Sequence, residues 1–366
     1  MTVFIVFLLV FFVQLFFFSF FFKKLQSKSS HKLECPPGVS IVVCAKNEAN
    51  NLPHLLPILA SQNYPKYEIV LVNDRSKDGT LSILESFKKA HNKLDRPIKI
   101  VDLSNSEITG KKNAIQKGIE VTEFKNLLFT DADCLPHSIN WLERMTVDLN
   151  LDREIVLGYG PYRKIQKSFL NKLIRFETLM TAIQYFSYAE RGIPYMGVGR
   201  NLAYHKDVFL SQNGFESHKS ILSGDDDLFV SAVANNKNTA ICLSKESFVT
   251  SEPPETMKTW IRQKRRHITT SVHYQFKHQF LLTLFYVSQL LFWILSFYLL
   301  FHHIQVYIVL ALVLVRYFFW HAKIKHNAKV LDEDDLIYRS VWLEFCLICF
   351  QLYIFIANLF SPSKKW

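Results

Sequence analysis

Uncharged apolar runs of two lengths punctuate this chain, and the length decides what each run becomes. Long runs sit at the two ends. Val3 to Phe22 carries no charge, and about 20 residues at roughly 1.5 Å rise each cross a hydrocarbon core. Phe280 to Phe301 is a second such run, Ile304 to Trp320 a third that Arg316 interrupts late, and Val341 to Phe360 a fourth, shorter if Glu344 stays at the interface. No basic residue precedes the first run and no Ala-x-Ala-like site follows it, so an uncleaved anchor is expected rather than a signal peptide. Short β-rich runs fill the middle instead. Val39 to Cys44, Tyr67 to Val72, Ile98 to Val101 and Asn126 to Thr130 read as strands, with helical stretches over Glu48 to Ala60, from the Asp74–Gly79 turn to about Ala90, and from Gly110. That β-α-β-α order predicts a mostly parallel sheet with right-handed crossovers, flanked by helices. Beyond Asp133 the pattern is less regular, apart from an amphipathic helix over Phe169 to Tyr188. Its aromatic face suits a core better than a membrane surface.

The expected organisation is therefore an anchor with its basic flank (1–33), an α/β domain (34–278) and a C-terminal membrane region of two or three spans (279–366). Lys23, Lys24, Lys28 and Lys32 follow the first span, and Lys323, Lys325, Lys329 and Arg339 lie between later ones. The positive-inside rule places these flanks, and with them the central domain, on the cytosolic side of a cell inner membrane. Four full spans would put Lys364 and Lys365 outside, so the last segment can also be read as re-entrant or interfacial.

Charge narrows the partners. A formal net charge of +11 suits anionic lipid, phosphate or nucleic acid. With spans present, membrane lipids and a nucleotide diphosphate fit better than nucleic acid. The six cysteines, at 35, 44, 134, 242, 346 and 349, show no metal-ligand spacing and fit a reduced compartment.

Candidate chemistry gathers where the short strands end. Lys46-Asn47-Glu48 follows the first strand, Asp74 the second, Gly110-Lys111-Lys112-Asn113 opens the helix before the fourth, and Asp131-Ala132-Asp133 ends the fourth. In a parallel sheet all four converge on the carboxyl edge, where open α/β sheets bind ligands. Carboxylates spaced as Asp131 and Asp133 are can share a hard divalent cation that takes further ligands from phosphate. Glu48 and Asp74 can accept hydrogen bonds from a nucleobase and ribose, and Lys111 can neutralise phosphate. Blander readings stand beside these: Asp74 and Asp78 also form ordinary turns, and Lys111 and Lys112 could be a solvated helix face. Gly224-Asp225-Asp226-Asp227 precedes a helix, so its acids read either as an N-terminal cap or as a general base. Trp260 to His267 packs four cations before the second span, and reads either as a stripe on anionic lipid or as a clamp on a leaving diphosphate.

Taken in order over about residues 38–270, these motifs resemble a membrane-anchored glycosyltransferase of family 2 with the GT-A fold. The resemblance rests on Ala45-Lys46-Asn47-Glu48, Asn73 to Thr80, Lys111 to Ala114, Asp131-Ala132-Asp133, Gly197 to Asn201, Gly224 to Asp227 and Gln263-x-x-Arg266. It implies inverting transfer from a nucleotide-diphosphate sugar with Mg²⁺ or Mn²⁺, to a lipid-linked, glycan or membrane-delivered acceptor. Glu48, Asp74, Lys111, Asp131, Gln263 and Arg266 would contact the donor, and Asp133, with Asp131, the metal. The base would be Asp226 if the motif is aligned on Gly224, or Asp225 if aligned on Leu228; the first alignment is preferred. His267 stands where processive members carry Trp, which favours single transfers over chain synthesis. A polysaccharide synthase, a sugar-phosphate nucleotidyltransferase and a non-catalytic scaffold remain the alternatives. The nucleotidyltransferase is disfavoured because Ala45 to Glu48 is not a Gly-rich phosphate loop.

Overall fold

The structure, a computed structural model, describes residues 1–27, 34–91, 96–151, 153–221 and 223–360. Lys28, Lys32, Lys364 and Lys365 lie outside the described residues. Two compact units interleave along the chain: one comprises 27–163 and 192–253, the other 1–26, 164–191 and 254–366.

Among the described residues, the first unit is built on nine strands: β1 Val39–Ala45, β2 Tyr67–Asn73, β3 Ile98–Asp102, β4 Asn126–Asp131, β5 Cys134–Pro136, β6 Ile155–Leu157, β7 Leu202–His205, β8 Thr239–Ile241 and β9 Val249–Ser251. Seven form one sheet in the order β3-β2-β1-β4-β7-β6-β8, while β5 and β9 pair separately. Strands β3, β2, β1 and β4 are mutually parallel, and β7 runs antiparallel to both its neighbours. The mostly parallel α/β architecture read from the sequence is present. Continuous apolar runs make β1, β2 and β4, because strands covered on both faces have no polar side to alternate with.

Helix Leu52–Ala60 begins four residues later than its pattern suggests, with a Pro in its first turn. Residues 48–51 are instead spent in turns tied to the loop after β2. Helix Lys111–Glu120 lies on the sheet through Gly118, where an added Cβ would stand 2.9 Å from Val42 Cγ1 and from Val72 Cγ2.

Among the described residues, the second unit holds four helices long and apolar enough to cross a membrane: Thr2–Phe21, Phe276–Phe301, Val306–Val330 and Asp334–Phe360. The two charges that the sequence pattern treats as interruptions neutralise each other. Arg316, fully buried, donates to Glu344 Oε1 at 2.6 Å and Oε2 at 3.1 Å, and to Gln14 Oε1 at 3.0 Å. Glu344 therefore does not shorten the fourth helix. Helix Phe169–Glu190 belongs to this unit, with Phe176, Tyr185, Phe186 and Tyr188 buried, so its aromatic face is core.

Candidate active site

Two loops at the carboxyl edge of the sheet are sewn together by side chains. Asn47 and Arg75 both take left-handed backbone conformations, with φ of 58° and 55°. Asn47 N–H donates to Ser76 Oγ (3.0 Å), Glu48 N–H to Thr80 Oγ1 (2.8 Å), and Lys77 N–H to Asn47 Oδ1 (2.8 Å). Asp78, read as a turn former, serves as one: its carboxylate accepts from Ala49 N–H and Thr80 N–H. Asp74 is buried directly after β2, where Arg75 Nε and Nη2 donate to its Oδ1 at 2.9 and 2.7 Å. Burial raises the pKa of the Glu48 carboxyl, Asn51 opposes this with a hydrogen bond, and the fields of Asp133 and Asp131 raise it further. Glu48, Asp131 and Asp133 thus share one electrostatic neighbourhood.

Lys111 is the hub. Gly110 supplies the φ of 112° that turns the chain into the helix. The lysine Nζ then reaches Asp131 Oδ1 at 2.7 Å and Asp225 Oδ2 at 3.2 Å. Burial alone would lower its pKa, but Asp131, Asp225 and Asp226 hold it well above the usual lysine value. The solvated-face reading fails for both lysines, since Lys112 Nζ donates to the carbonyls of His218 (2.6 Å) and Ile221 (2.8 Å). Lys111, Asp131 and Asp225 line a cavity of about 20 Å³ with Cys44, Thr130 and Tyr204, room for about one water. Burial pushes the Cys44 thiol far up, so it stays protonated and is no nucleophile.

The two acids of the Gly224 motif part company. Asp226 caps helix Asp227–Val233: Oδ1 accepts from Asp227 N–H at 2.8 Å and Oδ2 from Gly199 N–H at 2.7 Å. Burial, then the charges of Asp225 and Asp227, push its pKa up to about 7 against the pull of Lys111 and Gly199 N–H. Asp225 faces the Lys111 cavity, and its Oδ1 has no hydrogen-bond partner among the described residues. The cap reading thus describes Asp226, and Asp225 is the open carboxylate.

Asp131, Asp133 and Cys134 can each turn a ligand atom to within 4.8 Å of the others. Cys134 Sγ donates to Asp133 Oδ1 at 3.3 Å, and burial holds the thiol well above its usual pKa. That leaves two carboxylates as the donor set, which fits a hard cation such as Mg²⁺ or Mn²⁺. Cysteine spacing alone did not single out Cys134. The sequence also left unassigned Asn201, whose side chain donates to the Tyr159 and Ser247 carbonyls, both at 2.8 Å, and accepts from Trp141 Nε1 at 3.0 Å. It braces the segment that presents Gly199 to Asp226.

Gln263 and Arg266 are half-buried on helix Met257–Ser271 of the other unit. The basic stripe around them is partly consumed within that unit. Lys264 pairs with Glu177 (2.5 Å), Arg265 Nε donates to Asn358 Oδ1 (2.8 Å), and Trp260 stacks on Phe350.

The profile of Glycosyl transferase family 2 matches residues 40–210, and that of Glycosyl transferase family group 2 matches 132–358. The chain belongs to the family 2 glycosyltransferases. Over 110 residues it is 40% identical to Glycosyltransferase AglE of Haloferax volcanii, covering 30% of this chain and 34% of that protein. It is 33% identical over 111 residues to a poly-beta-1,6-N-acetyl-D-glucosamine synthase of Staphylococcus epidermidis, covering 30% of this chain and 25% of that one. The chain thus spans only about a third or less of these relatives. In fold it resembles a mannosyltransferase of Pyrobaculum calidifontis solved with GDP-Man and Mn²⁺. The TM-score there is 0.57 at 15% identity, over 94% of this chain and 98% of that one.

Proposed function

We propose that the protein transfers a sugar, with inversion, from a nucleotide-diphosphate donor to a hydroxyl of a lipid-linked or membrane-delivered acceptor, at the cytosolic face of a cell inner membrane. The observation that carries this reading is the meeting of Asp131, Lys111 and Asp225 at one edge of the sheet. Asp225, rather than Asp226, is the base: its free Oδ1 can take the acceptor proton, whereas main-chain N–H groups occupy both Asp226 oxygens. As the proton leaves, the acceptor oxygen attacks the anomeric carbon and the bond to the diphosphate oxygen breaks on the opposite side. Asp131 and Asp133 would hold Mg²⁺ or Mn²⁺, whose charge offsets that developing on the leaving diphosphate. Glu48 and Asp74, fixed by the sewn loops, would orient the nucleoside. The Pyrobaculum protein's GDP-Man and Mn²⁺ support a nucleotide sugar and a divalent ion here. His267, in place of a Trp after the Gln-x-x-Arg pair, supports single transfers.

The test is diphosphate release from a panel of nucleotide sugars, with binding measured in parallel. Asp225→Asn should lose about 10² to 10⁴-fold in turnover with donor affinity nearly unchanged, and Asp226→Asn should keep most of its rate. The reverse ranking would move the base to Asp226. No release from any donor would refute the activity.

A further inference from the structure

Among the helices of the membrane unit lies a second, larger cavity of about 240 Å³. Its walls come from Phe169–Glu190, Met257–Ser271 and two of the membrane-length helices, Phe276–Phe301 and Asp334–Phe360. Most of the lining is apolar, as in Phe176, Met180, Leu282 and Leu347, but three amides line it as well: Gln184, Gln289 and Gln351, of which Gln289 donates to Glu344 Oε1 at 2.7 Å. Gln184 and Gln351 have no side-chain hydrogen-bond partner among the described residues. Both are half-buried, and an amide turned toward apolar walls is stabilised by a ligand that brings a hydrogen-bonding partner. The cavity is therefore built to receive something with hydrogen-bonding groups of its own.

Charge limits what that is. The acids in the lining are Glu177 and Glu344, and each already has its cation: Lys264 at 2.5 Å and Arg316 at 2.6 Å. No lysine or arginine lines the cavity among the described residues. A phosphate headgroup would find no unmatched positive charge and would meet two carboxylates. A neutral headgroup with free hydroxyls meets amides that can both donate and accept. The volume equals about eight waters, enough for a glycerol-sized headgroup and the first methylenes of its chains, with apolar walls around the latter.

We propose that this cavity binds the neutral, hydroxyl-bearing headgroup of a membrane lipid, with Gln184 and Gln351 as its hydrogen-bonding residues. The site is independent of the transfer chemistry, and holds whether the lipid is an acceptor or a bound companion.

The full chain in phosphatidylcholine nanodiscs, labelled with a photoactivatable diacylglycerol, tests this. Labelling is expected in helices Phe169–Glu190 and Asp334–Phe360, competed by unlabelled diacylglycerol and not by phosphatidic acid. Gln184→Leu and Gln351→Leu should each cut labelling about five-fold, the effect of one lost hydrogen bond. Leu347→Trp should block it by filling the space while leaving both amides in place, so a folding defect in one variant does not decide the outcome. Equal competition by phosphatidic acid, labelling no higher than bulk lipid (a cavity holding only water), or labelling unchanged in well-folded Gln184→Leu/Gln351→Leu would each overturn the proposal.

Discussion

Lys111 Nζ and Asp131 Oδ1 stand 2.7 Å apart, bridging the first residue of a helix and the last of a strand. The same ammonium reaches Asp225, more than ninety residues on, at 3.2 Å. One cation thus holds two carboxylates from distant parts of the chain in a single small space.

Replacing Lys111 by Met leaves those carboxylates facing each other without compensation. Turnover should fall by about 10²-fold or more, and Lys111→Arg should not restore it, because a space of about 20 Å³ does not admit a guanidinium. Steady-state rates of both variants check this; a fully active Lys111→Arg would mean the site needs only charge.

Asp226 makes stability depend on pH. Its pKa is pushed up to about 7 from the ordinary 3.8, chiefly by burial and then by Asp225 and Asp227. Between those values the folded protein holds a proton that the unfolded chain releases, so stability falls as pH rises through this window and levels off above it. Melting temperature in detergent should drop from pH 5 to pH 7.5 more steeply in the wild type than in Asp226→Asn. Parallel slopes would show that Asp226 is not the group responsible.

Divalent ion and nucleotide should stabilise the protein together. With both well above their dissociation constants, Mn²⁺ and a nucleoside diphosphate add on the order of 2 to 3 kcal/mol, seen as a rise in melting temperature that EDTA reverses. Asp133→Ala should abolish that rise without lowering the ligand-free melting point, because Asp133 is exposed. A full shift in the variant would place the ion elsewhere.

In the second unit, Arg175 is 1% exposed and holds Glu333, also 1% exposed, together with Asp335. Burial pushes Glu333 up to about 7 even though Arg175 opposes the shift. Arg175→Met should cost about 3 to 5 kcal/mol by stranding that carboxylate, and Arg175→Met/Glu333→Gln should recover much of the loss. Thermal unfolding of the single and double variants separates a stranded charge from a simple packing defect.

The sequence made the sheet legible where strands are long and apolar: β1, β2, β3 and β4 fall within a residue of their apolar runs. Their ends then located Glu48, Asp74, Lys111 and Asp131 by topology alone. Strands β5, β6, β8 and β9 have three residues each and are defined by partners far along the chain, so no local period announces them. Which of Asp225 and Asp226 caps the helix was equally hidden, since it depends on which carboxylate meets Gly199 and which meets Lys111. Arg316 and Glu344 looked like two separate faults in the hydrophobic pattern because their pairing spans 28 residues.

Gly118 carries a consequence beyond its own position. Its missing side chain lets the helix seat within van der Waals reach of Val42 and Val72, and Lys111 stands two turns back along the same rigid rod. A larger residue at 118 would lever that rod off the sheet and swing its leading ammonium away from both acids. The aim of the Lys111 ammonium is thus set by a missing side chain two turns further along the same helix.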